Sequence, residues 1–148
     1  MKYLESHRLW RFMLAAMLVP LTLIAFWPNP VDAPVQGQLA DVLKFLHAHE
    51  VPAWVNYQFV EASANVILFV PVGVAAGLAY PTRHWWQIGV LGLLVSVGIE
   101  LGQLFFLHSR FASLADIVTN TGGAVIGALL ASLVLRWLQD RRLSATVL

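Results

Sequence analysis

Three short stretches of this chain place polar residues in apolar surroundings: Glu61-x-x-x-Asn65, Glu100-x-x-Gln103 and Asp116-x-x-x-Asn120. Within each pair the spacing is three or four residues, so a helix would present both members on one face. Arg110 falls between the second and third pairs. Glu100 and Asp116 are the candidates for acid–base catalysis, since a positioned carboxyl can donate or accept a proton. Arg110 can grip a phosphate or carboxylate with two parallel hydrogen bonds. Asn65, Gln103 and Asn120 carry amides that both donate and accept, which suits the orientation of a polar headgroup. The candidate binding set is therefore Asn65, Glu100, Gln103, Arg110, Asp116, Asn120 and Glu61. Bland roles stand beside these: amides inside a membrane often serve as interhelical glue, and Glu61 would be favoured simply by lying near a helix start.

Several chemistries have no support. There is no cysteine, hence no thiolate nucleophile and no cysteine metal site. No His-Glu-x-x-His, serine–histidine arrangement or phosphate loop is present. Two carboxylates with amide oxygens could hold a divalent ion, but no metal or other cofactor is expected from the spacing.

The elements that must position these residues are set by composition. Of 148 residues, 59% are hydrophobic and 11% charged, against about 25% charged in soluble domains. That identifies a membrane protein, and a net charge of +1 gives no footing for nucleic acid. Four apolar segments cover roughly 9–27, 59–80, 86–107 and 111–135, each near the ~20 residues that span a bilayer as a helix. The expected fold is all-α: one membrane domain over 1–148, an integral bundle of four transmembrane helices with a short amphipathic helix in the outer loop. The first segment has a basic start but no small-x-small cleavage site, so it is expected to be a retained span.

Orientation follows from Lys and Arg near the span ends. With both termini cytoplasmic, Lys2, Arg8, Arg11, Arg83, Arg136, Arg141 and Arg142 lie inside, and only Lys44 and Arg110 outside. In the outer loop, 28–58, Leu39, Val42, Leu43 and Leu46 repeat at helical spacing with Asp41, Lys44, His47 and Glu50 between them. This is either an amphipathic helix on the membrane surface or a cap packed over the bundle. Residues 81–84 and 108–112 read as tight turns. In this frame Asn65, Glu100, Gln103, Asp116 and Asn120 all fall ~6–14 Å below the outer boundary at 1.5 Å per residue. Unpaired charge in a membrane is costly, so the three polar faces should point at one another. Gly73 and Gly77, Gly98 and Gly102, and Gly123 and Gly127 mark expected contact faces. Pro71 is expected to kink the second span.

These same residues carry a resemblance. Glu61-Ala-Ser-Ala-Asn65-Val-Ile-Leu-Phe69-Val-Pro71-Val-Gly73 is similar to the acid-x-x-x-Asn…Phe-x-Pro-x-Gly pattern of the VanZ-like family of small bacterial membrane proteins. Glu100-x-x-Gln103, Arg110 and Asp116-x-x-x-Asn120-x-x-Gly123-x-x-x-Gly127 resemble its second block. The blocks span about half the chain, and the family usually has Asp at the position of Glu61. The resemblance implies a multi-span protein of the cell envelope, here expected in the bacterial plasma (inner) membrane. It also suggests a role in resistance to the glycopeptide teicoplanin, with which the founding member is associated.

Three functions fit the residues. The preferred one is a non-catalytic module with an outward-facing polar cluster that binds or modulates an envelope lipid, a lipid-linked wall precursor or a glycopeptide. An enzyme using Glu100 and Asp116 on a lipid-linked substrate is the alternative, so enzymatic activity stays open. A small transporter, which would need an oligomer, is third.

Overall fold

The computed structural model describes residues 6–28, 33–107 and 113–146. They form five α-helices: α1 (His7–Ala25), α2 (Gln36–Ala48), α3 (Tyr57–Ala79), α4 (Trp85–Phe106) and α5 (Leu114–Thr146). Four of them, all but α2, are long and apolar enough to cross a membrane.

Each long helix starts where its sequence supplies a cap. Ser6 Oγ accepts from the Leu9 N–H, and Asn56 Oδ1 accepts from the Phe59 N–H. His84 and Gln87 form a reciprocal capping box at the start of α4. Ser113 Oγ accepts from the Asp116 N–H at 3.2 Å. Such caps satisfy amides that have no partner inside the helix. α1 ends before Trp27-Pro28 and α3 before Pro81, since proline cannot continue the ladder.

α3 and α5 make the closest pair, with α4 against α5 and α1 against α3. Glycine permits the α3–α5 approach. A Cβ on Gly127 would collide with the Val70 carbonyl, one on Gly123 with the Val66 carbonyl, and one on Gly73 with the Ala124 carbonyl. α1 barely touches α4. The buried core is thin: Leu21, Phe69 and Ala124 in one cluster, Ala76, Ile88 and Ala128 in another. Large apolar side chains such as Phe12, Phe105 and Phe106 are more than 70% exposed. A surface of that kind belongs in lipid rather than in water.

The structure departs from expectation in two places, the length of α5 and the surroundings of Gly98. α5 runs to Thr146 and has 33 residues, ~50 Å at 1.5 Å per residue, so it outlasts the apolar segment that ends near 135. Among the described residues nothing lies within 4 Å of where a Cβ on Gly98 would stand, so it is no contact position there. Pro71 lies inside α3, which is helical on both sides of it. α2 has no fully buried residue. Leu39, Leu43 and Leu46 are half-buried on one side of α2, while Asp41 and Lys44 pair at 3.8 Å in the open.

Candidate functional site

The first turns of α5 organise the polar residues. Glu100 is buried on α4, at 3% exposure. Its Oε2 accepts from the backbone N–H of Ser113 at 2.6 Å. One carboxylate thus reaches across the α4–α5 hairpin to the exposed amides that open α5. A negative charge is favoured there by the helix dipole. Asp116 sits in the same first turn, and its Oδ1 accepts from Asn65 Nδ2 of α3 at 2.9 Å. Ser113 therefore touches both acids, through its N–H to Glu100 and through its Oγ to the Asp116 amide.

The remaining amides extend the group. Asn120, one turn below Asp116, donates from Nδ2 to Ser96 Oγ of α4 at 3.0 Å. Gln103 donates from Nε2 to the carbonyl of Ala25, the last residue of α1, at 2.8 Å. Beside that bond the Phe26 ring lies over Gly102, 2.6 Å from where a Cβ would stand. All four long helices are thereby joined by side-chain hydrogen bonds at the end of the bundle where α1 and α4 finish and α3 and α5 begin. In an apolar medium each such bond avoids leaving a polar group unpaired, at a cost of several kcal/mol.

Asn65 and Asp116 bond each other, Glu100 joins them through Ser113, and Asn120 bonds Ser96 one turn from Glu100, whereas Gln103 turns to the α1 backbone. Glu61 is exposed on α3, a turn nearer its start than Asn65. Arg110 and the turn 108–112 lie outside the described residues. Two participants escaped the sequence reading, Ser96 and Ser113. Both had a signal: Ser96, Glu100 and Gln103 share one helical face at four- and three-residue spacing, and Ser113-Leu-Ala-Asp116 is a helix-start pattern of the capping-box type.

One atom of this group is unsatisfied. Asn120 is 5% exposed, and its Oδ1 is buried with no hydrogen-bond partner among the described residues. If the amide is turned over, its nitrogen takes that place instead. Either way, one polar atom beside Ser96 waits for a partner. Thr121 Oγ1, the next residue, is in the same state. Among the described residues no group of three or more His, Asp or Glu side chains is arranged to hold a metal ion. The histidines serve elsewhere: His7 Nδ1 donates to the Leu78 carbonyl at 3.1 Å and ties α1 to the end of α3, and His47 Nε2 does the same for Val55 at 3.0 Å.

No curated protein and no solved structure matches the chain. The VanZ/LLP1 family model matches residues 11–135, from within α1 to well into α5. The match takes in the first helix and the loop as well as the polar hairpin, and the chain belongs to the VanZ/LLP1 family.

Proposed function

We propose that this is a non-catalytic envelope module of the bacterial plasma membrane, with both termini cytoplasmic and its polar network facing outward. There it binds the polar part of an envelope lipid, a lipid-linked wall precursor or a glycopeptide. The observation that carries the reading is the unpartnered Asn120 amide atom, buried among bonded neighbours. An unmade hydrogen bond of this kind costs about 1–3 kcal/mol, and a ligand hydroxyl or amide would recover it. The outward orientation rests on the distribution of Lys and Arg. Family membership supports the link to glycopeptides, including teicoplanin.

An acid–base enzyme draws less support. Glu100 accepts from a backbone amide and Asp116 from Asn65, so both carboxylates are engaged in holding α5 in place.

The test is Asn120→Leu, which keeps the branched shape at a larger volume and removes both amide atoms. Host cells expressing the variant are scored for protein level in the membrane and for teicoplanin susceptibility. The expected result is a normal protein level with the susceptibility of cells lacking the protein. A variant that still shifts susceptibility as the native chain does would refute the site.

A further inference from the structure

At the opposite end of the bundle the helices leave a different space. α1 and α4 meet where Gln103 holds the Ala25 carbonyl and Phe26 covers Gly102. Away from that point they become two walls of a cleft of about 250 Å³ over α3. Leu14 and Leu18 line one wall and Leu91 and Val95 the other; small residues, among them Gly73 and Ala76, form the floor. Tyr80 and Leu91 also line a second hollow of about 380 Å³, shared with Arg83, Trp86 and Gln87. The apolar slot and this second hollow thus adjoin at Tyr80 and Leu91, and the second carries a cationic side chain at its mouth, Arg83.

Two arginines stand at that mouth. Arg83 lines it, and the guanidinium of Arg11 lies 5.1 Å from the centre of the Tyr80 ring. Neither pairs with a carboxylate among the described residues. Guanidinium groups bind phosphate in a bidentate, geometry-matched way, and Trp and Tyr favour the headgroup zone.

We propose that this composite hollow binds one anionic phospholipid. Its phosphate lies between Arg11 and Arg83, and one acyl chain follows the cleft between α1 and α4 toward Val95. Charge complementarity selects an anionic headgroup over a zwitterionic one. A second copy of the chain is a poor fit: a helix is ~10–12 Å across with its side chains, and the walls close together toward Gln103. The headgroup end of the site is at the far end from the Asn120 network, and its binding does not depend on how that network functions.

The test uses the full chain in bilayer nanodiscs of mixed phosphatidylglycerol and phosphatidylcholine, with native mass spectrometry counting the lipids retained. The native chain should keep phosphatidylglycerol in preference. Arg11→Gln and Arg83→Gln should each lower that retention about fivefold, the equivalent of about 1 kcal/mol per basic residue near a membrane surface. Val95→Phe, which faces lipid and intrudes on the cleft, should lower retention of both lipids. Lys44→Gln, on the distant α2, should change nothing. Equal retention of the two lipids by the native chain would overturn the proposal. So would indifference to the arginine substitutions, or a dimer that Val95→Phe dissociates.

Discussion

Replacing Glu100 measures what a buried carboxylate contributes at the start of α5. The native oxygen accepts from the Ser113 N–H at 2.6 Å, within a residue that is 3% exposed. Hydrogen bonds to a charged group contribute about 1.5–3 kcal/mol and neutral ones about 0.5–1.5. Glu100→Gln keeps an acceptor of the same shape and loses the charge, so about 1–1.5 kcal/mol of that bond goes. The charge–dipole interaction at the α5 start is lost with it, roughly 0.3–1 kcal/mol more. Glu100→Ala also strips the Ser113 amide of this acceptor, adding about 1–3 kcal/mol. At about 2–4 °C per kcal/mol, the Gln variant should melt roughly 3–10 °C below the native chain and the Ala variant lower still. The assay is tryptophan fluorescence on heating the purified chain in detergent. A Glu100→Gln variant that melts with the native chain or above it would refute this role for the carboxylate. In that case the cost of burying the carboxylate exceeds its hydrogen bond, and the acid is present for something other than holding α5.

Further predictions concern the frame around the site. Gly127→Val should push α3 and α5 apart, because its first added carbon already meets the Val70 carbonyl; a loss of about 3 kcal/mol or more is expected, read as a fall in membrane level and melting temperature, while Gly98→Val, facing nothing within 4 Å, should leave both unchanged. Glu50 holds a left-handed φ of 67° after α2, where the Val51 N–H returns to the Leu46 carbonyl. Glu50→Gly should therefore relieve about 1 kcal/mol and increase amide-exchange protection in α2. Cysteine placed at Arg83 should resist labelling by an impermeant reagent outside the cell, whereas cysteine at Ser109 should react; the reverse pattern would invert the assigned orientation.

The spans were legible because unbroken apolar length is a strong signal; their exact starts were not, since these are set by caps such as Asn56 and Ser113. Nor was the end of α5. Hydropathy falls after 135, while Arg136, Gln139, Arg141 and Leu143 remain good helix formers, so the helix continues out of the apolar zone. The convergence of Asn65, Glu100, Asp116 and Asn120 could be read from depth and spacing alone. Their partners were harder to see. Gln103 bonds a backbone carbonyl on α1, and a carbonyl has no sequence signature. Ser96 and Ser113 are small and common, so they drew less notice than the acids they accompany. Gly102 and Gly98 share a spacing motif, yet only Gly102 has a neighbour, the Phe26 ring. Spacing gives a face but not which helix that face meets.

The most direct measurement is an experimental structure of the chain extracted with its native lipids, inspected around Asn120. Density is expected for the polar group of a lipid, precursor or glycopeptide within hydrogen-bonding distance of the unpartnered Asn120 amide atom, continuous with a larger molecule lying against the α4–α5 hairpin. A lone water at that atom, or a rearranged amide satisfied wholly by protein, would contradict it.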